Sequence, residues 1–380
     1  MIVASTSDER ALARRRLPRA LFDYIDGGAN SEITLRRNVS DMEAVVLRQR
    51  VMRDVSVIDT TTTLFGQKLS MPLMLGPVGF AGMFAKRGEV QAARAAEAAG
   101  VPFTLSTVGI CAMEEVRAAV QNPIWYQLYM IKDRGYMAAL LQRAKGLGTP
   151  VLVFTVDLPV SGARYRDQRS GFSATLPPMA QLMRAFDGLA HPAWLKDVYF
   201  GGRPHDFGNI VAAIPEGQAG DFSGWIHRNF DPTVTWADIA WVRAHWDGPI
   251  VIKGVLDPDD AREALAAGAD GIIVSNHGGR QLDGAQTTVR ALPPIVEAVG
   301  EGMTVLMDGG VRSGLDVLRG LALGAEGVLI GRAWAYALAA GGEAGVARML
   351  TRMQSELRVA MALTGCTDIK TADRQLLIAP

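Results

Sequence analysis

The chain has 380 residues, 49% of them apolar, with 39 basic and 39 acidic side chains and a net charge of zero. That apolar content supports a large core and excludes a disordered chain, while the missing basic excess argues against a nucleic-acid binder. Two cysteines, Cys111 and Cys366, cannot make a disulfide framework, and no Cys/His cluster has zinc spacing, so no metal is expected and a reducing compartment fits.

Residues 1–72 open with charges at Asp8, Glu9, Arg10, Arg14, Arg15, Arg16 and Arg19, without the apolar run of a signal peptide. They read as helices over 8–25 and 30–38 and a hairpin around Phe65-Gly66-Gln67. The uncharged stretch 69–85 is too short, and too broken by proline and glycine, to span a bilayer. From residue 73 one rhythm takes over: short apolar runs alternate with alanine-rich helical stretches. Strands are expected at 73–77, 103–107, 124–130, 150–157, 249–254, 271–276, 304–308 and 327–331. Helices are expected at 88–99, 113–121, 135–147, 235–246, 257–267, 287–299, 313–323 and 333–340, several stopping at a glycine such as Gly100, Gly268 or Gly324. Near-continuous apolar strands such as 151–156 belong in parallel sheets buried on both faces. Eight β-then-α units predict an α/β fold, a (β/α)8 TIM barrel spanning 1–380 as one domain. A doubly wound sheet is the alternative. Residues 158–234 break the rhythm as a long insertion after the fourth strand, rich in Gly, Pro, Met and aromatics, leaving the face where barrel active sites lie.

The densest chemical signal is Ser275-Asn-His-Gly-Gly-Arg-Gln-Leu-Asp-Gly284, directly after an apolar strand. Of five histidines only His277 ends a predicted barrel strand, where a side chain with an ordinary pKa near 6.5 suits general-base work. Arg280 offers a planar fork for a carboxylate or phosphate. A solvated glycine-rich turn is the plain alternative. Other strand ends carry Ser106, Gln127, Tyr129, Asp157 and Lys253, with Arg164 seven residues beyond Asp157. For Asp157 and Lys253 the plain alternative is a structural ion pair. Asp308-Gly-Gly-Val-Arg312 and Gly331-Arg332 end the last two strands, where barrels often bind phosphate. No Walker pattern occurs, and the glycines of 76–82 have the wrong spacing for a dinucleotide fingerprint. Cys111 reads as a buried thiol, since no base stands beside it.

Together, Phe22-Asp-Tyr-Ile-Asp-Gly-Gly-Ala29, the 275–283 motif and Asp308-Gly-Gly-Val-Arg312 resemble the FMN-dependent L-2-hydroxy-acid dehydrogenases and oxidases over nearly the whole chain. Leu35-Arg-Arg-Asn38, Leu69-Ser-Met-Pro72, Gly162-Ala-Arg-Tyr-Arg-Asp167, Gly202-Arg-Pro-His-Asp206 and Asn229-Phe-Asp-Pro232 look like the bacterial respiratory L-lactate dehydrogenase branch. The resemblance implies FMN as cofactor and oxidation of L-lactate to pyruvate, with His277 as base and Asp157 steadying its charged form. It implies that Arg164, Arg280, Tyr24 and Tyr129 hold the substrate and that Lys253 stabilises charge on the flavin. Pro77, Val78, Gly79, Ser106, Gln127, Thr155 and Ser275 would meet the flavin. Asp308, Gly309, Gly310, Arg312, Gly331 and Arg332 would take the phosphate end. A quinone or cytochrome would receive the electrons, and no nucleic acid is a partner. A homotetramer is implied, held peripherally on the cytoplasmic side of the inner membrane, otherwise cytoplasmic, with 158–234 as lid or membrane contact. An oxidase using O2 on glycolate or lactate, and a mandelate dehydrogenase, are the alternatives. Val108 stands where some members carry an aromatic residue.

Overall fold

Eight parallel strands close into a ring in the computed structural model, which describes residues 2–172, 177–213 and 222–378, with backbone alone at 213, 222, 223, 226 and 227. The strands are β1 (Leu73–Leu75), β2 (Thr104–Ser106), β3 (Trp125–Leu128), β4 (Leu152–Thr155), β5 (Ile250–Val255), β6 (Gly271–Val274), β7 (Thr304–Met307) and β8 (Gly327–Ile330). Each pairs with the next, β8 pairs back onto β1, and the Leu75–Phe103 bridge joins β1 to β2. This sequential closed order is the barrel, not the doubly wound sheet. The ladders are shorter than the apolar runs predicted, because the run ends turn out of the ladder to carry rim side chains.

Alternation along each strand divides the core. Met74, Trp125, Val153, Val251, Ile273 and Leu306 fill the ring, while their neighbours in sequence pack outward beneath the helices. The expected hairpin forms (Thr62–Leu64 with Gln67–Leu69) and inserts Leu64 and Leu69 into the same inner cluster. Phe65 meets Trp125 edge-on at 5.7 Å, and Trp125 Nε1 donates to Gln67 Oε1 at 3.2 Å. The hairpin therefore plugs the N-terminal end of the barrel and leaves the C-terminal rim open.

The first helix does not run through 8–25. It divides into Thr6–Arg16 and Arg19–Asp26, because Pro18 has no N–H to give and forces Leu17 to be extended. A third helix, Ile33–Glu43, follows. The last helix runs far past 340, from Arg332 to Thr364, with a break at Gly342. In the insertion, a helix spans Pro178–Leu189 with no buried residue, and Pro192–Trp194 continues into a π-turn over Leu195–Phe200. Among the described residues no helix is long and apolar enough to cross a membrane.

Candidate active site

The rim is organised by an irregularity in β5. Its pairing with β6 shifts register between Lys253 and Val255, and the residue passed over, Gly254, has φ +115°. A Cβ there would lie 2.5 Å from Asp157 Cβ, so only glycine lets the Asp157 backbone come down beside Lys253. Lys253 Nζ donates to Ser275 Oγ at 2.8 Å and lies 3.1 Å from Asp308 Oδ2. Burial works against its charge, but Asp308 and Asp157 outweigh burial and hold its pKa above that of an ordinary lysine. Its ion-pair partner is thus Asp308 on β7, not Asp157.

Asp157 instead faces His277. His277 Nδ1 lies 2.8 Å from Asp157 Oδ1. A carboxylate accepts, so Nδ1 carries the proton and Nε2 keeps its lone pair, with no hydrogen bond to Nε2 among the described residues. Burial lowers the His277 pKa more than Asp157 raises it, with Lys253 and Arg164 adding to the lowering, so the imidazole is neutral at pH 7. Burial would raise the Asp157 pKa, but His277 and Lys253 hold it below the ordinary carboxylate value. His277 also has φ +55°, a conformation non-glycine residues enter at a cost of about 1–3 kcal/mol. Ser275 Oγ, accepting from His277 N at 3.1 Å, helps hold that turn.

Two guanidinium groups face this base across one cavity. Arg164 Nε donates to Arg280 O at 3.2 Å and Arg164 Nη2 to Gln281 Oε1 at 3.1 Å. Burial and the nearby Arg280 push the Arg164 pKa down to about 10, still protonated at pH 7. Arg280 Nη1 donates to Gly27 O at 2.8 Å and to Tyr24 O, and its guanidinium lies 4.7 Å from the Tyr24 ring centroid. Both arginines keep N–H groups beyond these bonds, and like charges held side by side favour an anion between them. Tyr24 is set by its neighbours: Asp23 pairs with Arg166 at 2.7 Å, and Asp26 with Arg10, with Arg166 at 2.9 Å and with the Tyr336 hydroxyl at 2.7 Å. Phe172 stacks on the Tyr24 ring at 4.4 Å.

The cavity has a volume of about 1560 Å³. Of the expected site residues, Tyr24, Pro77, Val78, Gly79, Tyr129, Arg164, Lys253, His277, Arg280, Asp308, Gly309, Gly310, Arg312, Gly331 and Arg332 line it. Asp157, Ser106, Gln127, Thr155 and Ser275 stand behind that lining, at or just beyond strand ends. Arg332 is largely committed within the protein: it donates to the carbonyls of Ile25, Gly27 and Gly278 at 2.7–2.9 Å and so ties the N-terminal segment to the His277 turn. Gly310 also has a packing reason, because at φ +84° its Cβ would meet Asn38 O at 2.0 Å. Cys111 is buried with its thiol pKa pushed up, chiefly by desolvation, and is no nucleophile.

A model of FMN-dependent dehydrogenases matches residues 13–379. The chain belongs to this family. It is 58% identical over 378 residues to an L-lactate dehydrogenase of Caulobacter vibrioides, covering 99% of this chain and 98% of that one. Among solved structures, a monotopic membrane protein, (S)-mandelate dehydrogenase, superposes with TM-score 0.92 at 34% identity over the whole of both chains. Mandelate oxidase superposes at 0.83 with 38% identity, covering 99% and 98%.

The residues present fit the FMN-dependent dehydrogenase's cofactor. Gln127 Nε2, Thr155 Oγ1 and Asp308 Oδ1 are buried without a hydrogen-bond partner among the described residues. Buried polar atoms are rarely left so, and three around one rim call for a polar-edged ligand. Lys253 has a third N–H beyond its two partners, a positive donor suited to the electron-rich edge of a flavin. Sequence reading missed Gln281, which bonds Arg164 and also donates to the carbonyls of Asp157 (2.8 Å) and Val160 (2.9 Å). It also missed the Asp23–Asp26–Arg166 clamp, although all three lie inside motifs already singled out.

Proposed function

We propose that this FMN-dependent dehydrogenase oxidises L-lactate to pyruvate and passes the electrons to a respiratory acceptor, a quinone or a cytochrome. The observation that carries the reading is the unprotonated Nε2 of His277 facing the same cavity as Arg164 and Arg280, with Asp157 behind it. The two arginines bind and orient the substrate carboxylate, with Tyr24 and Tyr129 closing the walls around it. His277 Nε2 takes a proton from the substrate hydroxyl or Cα, and Asp157 stabilises the imidazolium that results. Lys253 keeps a positive charge at the inner end of the cavity. When bound, FMN supplies a two-electron acceptor. Lactate rather than another 2-hydroxy acid is supported by the curated relatives of 55–58% identity, all named L-lactate dehydrogenase, against 34–38% for the mandelate enzymes.

The reading extends to a peripheral membrane contact. Met179, Leu182, Met183, Phe186 and Leu189 recur at helical spacing on the Pro178–Leu189 helix, each more than half exposed. An apolar stripe of that size turned outward needs a partner, and an interfacial helix buries such a face in lipid. The monotopic nature of the superposing mandelate dehydrogenase supports it.

The experiment is anaerobic stopped-flow bleaching of the yellow protein by L-lactate, D-lactate, glycolate and (S)-mandelate. L-Lactate is expected to bleach fastest and D-lactate not at all. No bleaching by any L-2-hydroxy acid overturns the reading, and peroxide release matching turnover would make the protein an oxidase instead.

A further inference from the structure

The Gly202-Arg-Pro-His-Asp206 motif has no part in the lactate chemistry, yet it reaches the same cavity. His205 lines that cavity together with Trp194, Leu195, Tyr199 and Phe200. The Trp194 indole is held by a bond from Nε1 to Met83 O at 2.8 Å. The Tyr199 ring lies against it at 5.9 Å, and the His205 ring is stacked beside Tyr199 at 6.2 Å. His205 Nε2 lies 3.0 Å from Tyr199 O. A carbonyl only accepts, so Nε2 carries the proton and Nδ1 keeps a lone pair. That Nδ1 is buried and has no hydrogen-bond partner among the described residues.

The helix Pro178–Leu189 roofs this wall with two faces of opposite use. Gln181, Arg184, Ala185 and Gly188 line the cavity, at spacings of three, one and three. Met179, Leu182, Met183 and Phe186 point away and are exposed. Leu189, Tyr199 and Phe200 do both, lining the cavity and standing 64%, 40% and 64% exposed. These three apolar side chains thus link the outward face to the cavity that His277 lines.

We propose that this outer chamber binds the ring of a lipid quinone, which enters from the membrane side between Leu189, Tyr199 and Phe200. The ring lies against the Trp194–Tyr199–His205 wall, and His205 Nδ1 is its polar anchor. With its lone pair unused, that nitrogen accepts a hydrogen bond from a hydroxyl of the reduced ring, the quinol. A buried acceptor left unpaired is costly, and a ligand hydroxyl that donates to it removes that cost. The proposal rests on the reading that bound FMN takes two electrons from L-lactate. L-Lactate loses two hydrogens to become pyruvate, and the quinone gains two electrons and two protons to become the quinol, so no further reductant enters.

The test reads binding apart from turnover. Holoenzyme is titrated anaerobically with ubiquinol-1, the reduced form of a quinone with one isoprene unit, and tryptophan fluorescence is followed; 1-decanol is the control for a chain without a ring. Saturable quenching by ubiquinol-1, lost in Trp194→Phe, is expected. His205→Ala should raise the half-saturating concentration about tenfold or more, the worth of one hydrogen bond, and His205→Gln should recover part of it. Anaerobic bleaching by L-lactate should stay within about twofold in both His205 variants, a difference worth less than one hydrogen bond. Equal quenching of wild type and His205→Ala, quenching that survives Trp194→Phe, or equal quenching by 1-decanol overturns the proposal. Loss of bleaching in both His205 variants also overturns it, because His205 would then be structural. Wild-type protein that fails to bleach but shows the His205-dependent quench breaks the lactate reading and leaves the quinone site standing.

Discussion

The rim of the barrel and the helix that roofs it differ in how they use side chains. At the rim the polar side chains are tied to one another: Lys253 to Asp308, His277 to Asp157, and Asp26 to Arg10 and Arg166. The polar atoms left over point to a cofactor and a substrate. On the roof, Met179, Leu182, Met183 and Phe186 are each more than half exposed, and no residue of their helix is buried. Catalysis needs groups fixed before the substrate arrives, and a buried hydrogen-bonded network fixes them. A surface that seats on lipid needs area instead, and tolerates exchange among apolar residues. Substitutions should therefore act on chemistry at the rim and on partition at the roof, with little crossing over.

The sharpest break is His277→Gln. Glutamine cannot take the substrate proton, and loss of a general base costs at least about 10²–10⁴-fold. The protein should stay yellow, because the cofactor contacts proposed above lie elsewhere, while anaerobic bleaching by L-lactate slows by about that factor or more. Bleaching at the wild-type rate would remove His277 from the mechanism.

Asp157→Asn should cost up to about 10⁴-fold and no more than loss of the base itself, because the imidazole remains but loses its charged partner. The pH profile gives a second readout. In the wild type the His277 pKa is lowered, so the acid limb of kcat/KM lies below the ordinary histidine value of about 6.5. Asp157 raises that pKa, so its removal makes the imidazole less basic and moves the limb to still lower pH. A limb that moves upward, or a rate loss with no movement, would mean that Asp157 only positions the ring.

The same contrast explains what could be read in the sequence. The barrel was legible because each buried parallel strand is a short apolar run and several helices stop at a glycine. His277 and Lys253 were legible because they end or interrupt such runs. The partner of Lys253 was not, because the Gly254 bulge that brings Asp157 beside it without pairing them depends on register across β5 and β6. Nor was the commitment of Arg332 to three backbone carbonyls, since those carbonyls lie about 300 and 50 residues away in sequence and only folding brings them together. The break at Leu17-Pro18 could have been read, because proline forbids the residue before it a helical conformation. The two-faced character of Pro178–Leu189 was hidden because the cavity-facing set is small and polar, and only the fold shows that there is a cavity beneath it.

The smallest expected effect falls on the roof. In Phe186→Asp an exposed ring on the outward face, outside the cavity lining, becomes a charge. Burying a phenylalanine in an apolar phase is worth about 1.5–3 kcal/mol, so its loss should weaken partition onto vesicles of mixed phosphatidylethanolamine and phosphatidylglycerol by about ten- to a hundredfold. The added negative charge pushes the same way on an anionic surface, and high salt should relieve only that part of the loss. Sedimentation with vesicles measures the partition, and anaerobic bleaching by L-lactate should remain at the wild-type rate. If partition is unchanged, the outward stripe does not meet lipid; if bleaching falls with it, the roof and the rim are one machine rather than two.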